Sequence, residues 1–292
     1  MEGSLAEPDD DWREVGLDDL IRFFANPAAY FLVRRLGVRP VRPGSEAEER
    51  EAFSLDALEG FNLKQEMVAH LLEGADCRDL YAAARAASRL PPLAAGQIAF
   101  DRALGEARTF SDRLTPYLSA PLEPLPLSLE LGTFRLSGTL ADIRGERLLR
   151  YRCARIRARD RLVLWIEHLA LCCAGAGGYP RESLLVCRDS MLSLPPLEDA
   201  PRLLRELLDI YGSGLRRPLP FFPETSFGFL GKGQQEAERC WYGAPFSRLR
   251  PESADPAFAL CFGRKDPLGD EFKQLAEQVW RPFLAVTQEC TP

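Results

Sequence analysis

Histidine is nearly absent from this 292-residue chain: only His70 and His168 occur. A histidine-rich metal site or a Ser-His-Asp triad therefore has little to draw on. The eight cysteines include no C-x-x-C pair, and Cys172 and Cys173 are adjacent, so zinc and redox spacings are missing and reduced thiols are expected. There is no G-x-x-x-x-G-K-[ST] phosphate loop and no internal repeat. No apolar run approaches the ~20 residues that cross a bilayer, and Met1 to Trp12 is acidic and polar, unlike a signal peptide. A cytoplasmic protein without a membrane segment is the expectation. Positive charge is not in excess either. The formal net charge is -6, so any nucleic-acid contact must come from a local patch.

What is present is ample core material, with 46% hydrophobic residues and a length sufficient for one large domain. Leu17, Leu20, Ile21, Phe23 and Phe24 fall at helical spacing, Asn26-Pro27 interrupts them, and Tyr30, Phe31, Val33 and Leu36 resume the apolar face. A polar, acidic loop from Arg39 to Glu51 precedes helices expected over Ala57–Leu72, Cys77–Ser88 and Ile98–Tyr117. After the proline-rich stretch 120–126 the period becomes strand-like, over Leu127–Leu131, Phe134–Asp142 and Leu148–Cys153. Helix returns at Asp160–Cys173, followed by a strand at Ser183–Cys187 and a helix at Ala200–Tyr211. Two closing helices follow a second proline-rich connection, the last over Leu268–Val286. The order predicts an α/β fold with a mixed sheet flanked by helices and helical additions at both ends. The expected divisions are an acidic, disordered 1–12, an N-terminal helical part at 13–120, a core at 121–215 and a helical closing region at 216–292.

Two strand candidates carry the chemistry. Leu136 to Ile143, a tight turn, and Leu148-Leu149-Arg150-Tyr151-Arg152 resemble the core of the PD-(D/E)XK nuclease superfamily, the restriction-endonuclease-like fold. In that superfamily's RecB-like branch the first strand ends in a magnesium-binding Asp, here Asp142. The second strand carries Asp-Tyr-Lys, whose alternate residues share a face of the strand. Here Arg150 stands at the second ligand position and Arg152 at the lysine. A guanidinium is always cationic and has no lone pair to offer a metal. The motif therefore predicts a degenerate site with no catalytic residue, no metal and no cofactor, in which Arg150 pairs with Asp142. Glu146 in the turn and Glu167 on the following helix are the carboxylates available to migrate in. A solvated turn and a helix surface are their expected places.

The resemblance extends along the chain. Leu17 to Pro27, Arg89 to Gly96, Leu148 to Arg152, Leu164 to Leu169, and Asp255 to Phe262 continuing to Asp266-Pro267, are similar in order and rough spacing to C-terminal domains of the RecC family, the exodeoxyribonuclease V gamma subunits. That resemblance implies a non-catalytic scaffold and DNA-guiding domain of the RecBCD helicase-nuclease, which acts in double-strand break repair and degradation of linear DNA. It implies RecB-like and RecD-like partner subunits, contact with double-stranded DNA ends and forked DNA, and a pin that splits the duplex. It also implies that this chain is a fragment lacking the helicase-like N-terminal domains. Related AddB-type nucleases hold an iron-sulfur cluster through four cysteines, but Asn26 stands at the first position and Cys240, Cys261 and Cys290 are too widely spaced, so no cluster is expected.

From Arg144 to Arg161 there are eight arginines against Glu146 and Asp160. Two readings stand. Arg144, Arg147, Arg155, Arg157 and Arg159 form a DNA-backbone surface, or the stretch is a salt-bridged face turned to this chain or a partner protein. Core packing is expected for Trp165 and a hydrogen-bonded place for His168. Phe221, Phe222, Trp241 and Tyr242 are pin candidates by chemistry, although buried packing is the expectation for each. The remaining alternatives are an active nuclease with migrated carboxylates and a purely protein-binding module.

Overall fold

The computed structural model describes residues 5–6, 9–40, 57–175, 177–244, 250–263 and 266–290. From position 41 the expected acidic loop lies outside these residues, as do positions 1–4, 7 and 8 of the expected N-terminal stretch 1–12. Asp10–Arg13 forms a 3-10 turn. It leads into β1 (Glu14–Gly16), α1 (Leu17–Ala25) and α2 (Pro27–Tyr30), which continues as a wider π-type turn over Phe31–Arg35. Asn26 breaks the helix as its Asn-Pro sequence predicts, and its side chain accepts the Ala29 N–H at 2.9 Å to cap α2.

Next come α3 (Ala57–Leu72), α4 (Arg78–Ala86) and α5 (Leu93–Leu114). The last begins five residues before the expected Ile98, immediately after Pro91-Pro92. A close approach fixes that start: a Cβ on Gly96 would stand 2.2 Å from the Pro91 carbonyl oxygen. Five strands follow the helices with α6 among them: β2 (Leu125–Leu131), β3 (Phe134–Leu140), β4 (Ile143–Arg144), β5 (Arg147–Arg152), α6 (Ala158–Ala174) and β6 (Ser183–Cys187). The chain ends with β7 (Met191–Leu194), α7 (Ala200–Gly214), α8 (Pro223–Lys232), α9 (Gln234–Tyr242), α10 (Pro256–Phe262), α11 (Asp270–Val286) and β8 (Gln288–Cys290).

The α/β class holds, but the strands form two sheets rather than one: β1-β3-β2 and β4-β5-β6-β7-β8. The two strands read as neighbours across a tight turn, β3 and β5, lie in different sheets. β3 stops at Leu140, two residues early, because Asp142 takes a left-handed conformation (φ +59°) that no strand can carry through. β5 then pairs with the two-residue β4 on one side and runs parallel to β6 on the other, with α6 as the crossover. β1 and β8 are three residues long, too short to display a period, and β7 follows β6 through a tight hairpin. Among its described residues the closing region holds four α-helices and a strand, not two helices, since the short α8 to α10 carry too few turns to declare themselves.

β6 is buried on both faces. Leu185 and Cys187 join the main core with α1, α6, α7 and α11, whereas Leu184 and Val186 join a second core under α3, α4 and α5. A third core joins the two ends of the chain, packing Ala28, Phe31 and Leu32 against Phe222, Trp241, Phe258 and Phe272.

The junction of α6 and α8 is capped by acids in series. Glu224, at the start of α8, accepts the Ala158 N–H at 3.0 Å, and Glu252 accepts the N–H groups of Glu224 and Thr225 at 3.2 and 2.8 Å. Burial pushes the Glu252 carboxyl up to about 7, against the lowering effect of those N–H groups. A carboxyl whose folded value is raised contributes stability that is fully present below its unfolded value and is lost as pH rises through the folded one. Urea unfolding across pH 5 to 8 is therefore expected to show wild type losing stability with rising pH relative to Glu252→Gln, the two curves running parallel only if Glu252 does not titrate in this window.

Candidate functional site

Alternation along β5 sends Leu148 into the main core and Leu149 and Cys153 into the second. Arg150 and Arg152 therefore share the α6 side, as their spacing predicts. They meet two acids of α6. Arg150 forms a two-pronged pair with Glu167, Nε to Oε2 at 2.7 Å and Nη2 to Oε1 at 2.9 Å. Arg152 donates to Asp160 Oδ2 at 2.6 Å and lies over the Phe61 ring at 4.7 Å. The helix returns antiparallel to the strand, so the earlier acid meets the later arginine.

Glu167 is thus not on the helix surface. It is 7% exposed, and its carboxylate, rather than that of Asp142, is the main partner of Arg150. Asp142 makes the weaker contact, Nη1 to Oδ2 at 3.2 Å, with its own side chain two-thirds exposed. The same Nη1 donates to the Ala141 carbonyl at 2.9 Å. One signal in the sequence pointed to Glu167: Asp160 and Glu167 are seven apart, two turns along one helix face, opposite two arginines that are two apart on a strand. Burial works against the charge on Arg150, but the Glu167 hydrogen bonds and charge outweigh it and raise its pKa.

A divalent cation does not fit this donor set. The guanidinium occupies the space between the two carboxylates, and both oxygens of Glu167 already accept from it. Among the described residues no group of three or more His, Cys, Asp or Glu side chains is arranged to hold a metal. Glu146 lies in the exposed turn as expected and pairs with Arg147 at 3.2 Å.

The arginine-rich stretch divides. Arg150, Arg152 and Arg161 are held inward, the last by Glu289 at 2.7 and 2.9 Å, which ties α6 to β8. Arg147 lies over Tyr117, and Arg144 donates to the Ser119 carbonyl. Arg155, Arg157 and Arg159 are exposed, and no ion pair involves them among the described residues.

Trp165 is in the core, and His168 Nδ1 lies 2.9 Å from Ser183 Oγ, fully buried, with burial pressing its pKa down to about 4. Cys153, Cys172 and Cys187 are buried thiols whose pKa values burial raises, which makes them poor nucleophiles. Of the aromatic pin candidates, Phe221, Phe222 and Trp241 are buried as expected. Tyr242 is not: it is exposed, with its hydroxyl 3.2 Å from Asp266.

Removing Arg150 strands a buried carboxylate, so Arg150→Ala is expected to destabilise the fold by about 3–5 kcal/mol. Arg150→Met with Glu167→Leu should recover most of that loss in urea unfolding. Equal destabilisation by the single and double variants would mean that the pair is not the source.

Comparison with known proteins places residues 12–234 within the profile of the RecC C-terminal domain. The RecBCD enzyme subunit RecC of Escherichia coli K12 is 30% identical over 74% of this chain and 19% of its own length. The subunit of the same name from Mycolicibacterium smegmatis is 28% identical over 95% of the chain and 27% of its own length, and that of Buchnera aphidicola from Acyrthosiphon pisum is 24% identical over 81% and 22%. The chain spans about a fifth to a quarter of the length of these relatives.

Proposed function

The chain belongs to the RecC C-terminal domain family, and from that premise we propose that it is a degenerate PD-(D/E)XK domain that guides DNA and scaffolds its partners without cutting. The observation that carries this reading is the guanidinium of Arg150 lodged between Glu167 and Asp142. Phosphodiester hydrolysis in this superfamily needs a cation bound where that guanidinium lies, and a tethered cation without lone pairs can neutralise the carboxylates but cannot activate water. Arg152, at the lysine position, is tied to Asp160 and cannot be deprotonated. The available acids do not rescue the chemistry, since Glu146 is in solvent and Glu167 is the partner of the arginine.

Within this reading the domain works in a cytoplasmic RecBCD-type assembly beside RecB-like and RecD-like subunits, receiving double-stranded ends and forked DNA. Among the described residues no helix is long and apolar enough to cross a membrane. Within the stretch from Arg144 to Arg161, Arg155, Arg157 and Arg159 are the exposed arginines without an ion pair, and Tyr242 is the one exposed aromatic of the four considered for duplex splitting. The divisions at 1–12, 13–120, 121–215 and 216–292 remain part of the proposal, the 121–215 core carrying the site.

The test is the purified chain with linear duplex and forked DNA under magnesium or manganese. No cleavage is expected, together with binding whose logarithm falls linearly with log salt, by about 0.9 per phosphate neutralised. Metal-dependent degradation abolished by Asp142→Ala or Glu167→Ala would replace this reading with an active nuclease. Absence of any salt-sensitive binding would leave a protein-binding module.

A further inference from the structure

The segment that joins β5 to α6 has no regular structure, yet its backbone is tied down almost residue by residue. The Cys153 N–H donates to Gln65 Oε1 of α3 at 2.5 Å, and the Ala154 carbonyl accepts the Arg188 N–H at 2.9 Å. Then three successive N–H groups each meet a different carboxylate. Ile156 donates to Asp189 at 2.9 Å, Arg157 to Asp160 at 2.9 Å and Ala158 to Glu224 at 3.0 Å. Those carboxylates come from the β6–β7 turn, from α6 itself and from α8. The turn bearing Asp189 is in turn fixed from α5, because Arg113 Nη1 donates to the carbonyls of Cys187 and Arg188 at 3.2 and 2.8 Å.

The consequence is on the side-chain face. Ala158 is buried and Ile156 half-buried, whereas Arg155, Arg157 and Arg159 are all exposed. Arg155 and Arg157 flank Ile156 in the irregular segment and Arg159 follows in the first turn of α6; residues two apart on an extended chain stand about 6.6 Å apart, and a nucleic-acid strand carries one charge per ~3.4 Å of axis. Three alternate guanidinium groups on this scale reach neighbouring phosphates of one strand. The acids beneath them are engaged with backbone N–H groups, and Arg157 and Arg159 lie near enough to Glu224 to lower its pKa against the upward push of burial.

We propose that Asp189, with Asp160 and Glu224, is a positioning residue that presets Arg155, Arg157 and Arg159 as a ladder for the phosphate backbone of a nucleic-acid strand. This rests on the DNA-guiding reading above and adds to it which arginines touch the strand and what aims them. Fixing the backbone that carries the three arginines before contact removes part of the entropic loss that binding would otherwise incur.

The positioning role has a sign that electrostatics alone does not give. Removing an acid beside a phosphate site strengthens DNA binding if only charge matters, and weakens it if the acid holds the ladder. Fluorescence anisotropy with a labelled forked duplex, on the whole chain, compares wild type with Asp189→Ala, Asp189→Asn and the triple variant R155A/R157A/R159A, with thermal melts confirming the fold.

The triple variant is expected to flatten the log–log salt slope by roughly 2 to 3. Asp189→Ala should weaken binding roughly fivefold or more. Asp189→Asn, whose amide oxygen still accepts the Ile156 N–H while the negative charge is gone, should bind at least as tightly as wild type does. Unchanged or tighter binding by Asp189→Ala, with the triple variant weakened, overturns the positioning role and leaves DNA guidance standing. An unaltered salt slope in the triple variant overturns the ladder itself. No salt-sensitive binding by wild type overturns DNA guidance first, and the ladder with it.

Discussion

A guanidinium inside a protein needs carboxylates around it, and position 150 imposes that need on the centre of this fold. Arg150 sits on a strand flanked by two others, beneath α6, with its side chain about four-fifths removed from solvent. Glu167 answers it with both oxygens, while Asp142 and the Ala141 carbonyl take the remaining nitrogen. Each partner is supplied by a different feature of the backbone: Glu167 by the return of α6 across β5, Asp142 and Ala141 by the left-handed break that separates the two sheets. The pair fixes helix against strand, and a charged pair so placed is weak as a source of net stability but severe in its penalty when one member is lost. It also fills the space between the two carboxylates with a cation already attached to the chain.

The second pair extends the same logic outward. Arg152 and Asp160 repeat the arrangement toward the end of the strand, and Asp160 simultaneously accepts the Arg157 N–H. The paired arginines of β5 and the exposed arginines are thus joined through one carboxylate. Inward-facing arginines at 150, 152 and 161 brace α6, and those at 155, 157 and 159 face outward, exposed. A stretch rich in arginine in sequence is divided by the fold into arginines paired inward and arginines exposed at the surface.

Much of this was legible in the sequence. The helices Ala57–Leu72 and Ser183–Cys187's neighbour α6, the strand Ser183–Cys187 itself, and the common face of Arg150 and Arg152 follow from periodicity and composition, which local residues determine. The burial of Trp165 and the hydrogen-bonded His168 also follow. The separation of β3 from β5 did not, because it depends on a single φ at Asp142, a residue type that tolerates either conformation. Glu167 was misplaced because a glutamate within a helix is usually solvated, and only its partner on a distant strand says otherwise. Tyr242 and the three-residue strands were missed for a related reason: exposure and edge pairing are set by what packs beside them, not by their own residues. The curated relatives support the family across most of the chain, and the geometry of the pair is what gives the family resemblance a physical content here.

The central claim is that Arg150 serves as the resident cation of this site, and manganese binding followed by electron paramagnetic resonance addresses it most directly. Wild type is expected to show no bound manganese attributable to Asp142 and Glu167, whereas Arg150→Ala, which leaves both carboxylates without their cation, gains a site that Glu167→Gln in the same background removes. Manganese bound by wild type and released by Asp142→Asn would contradict the account.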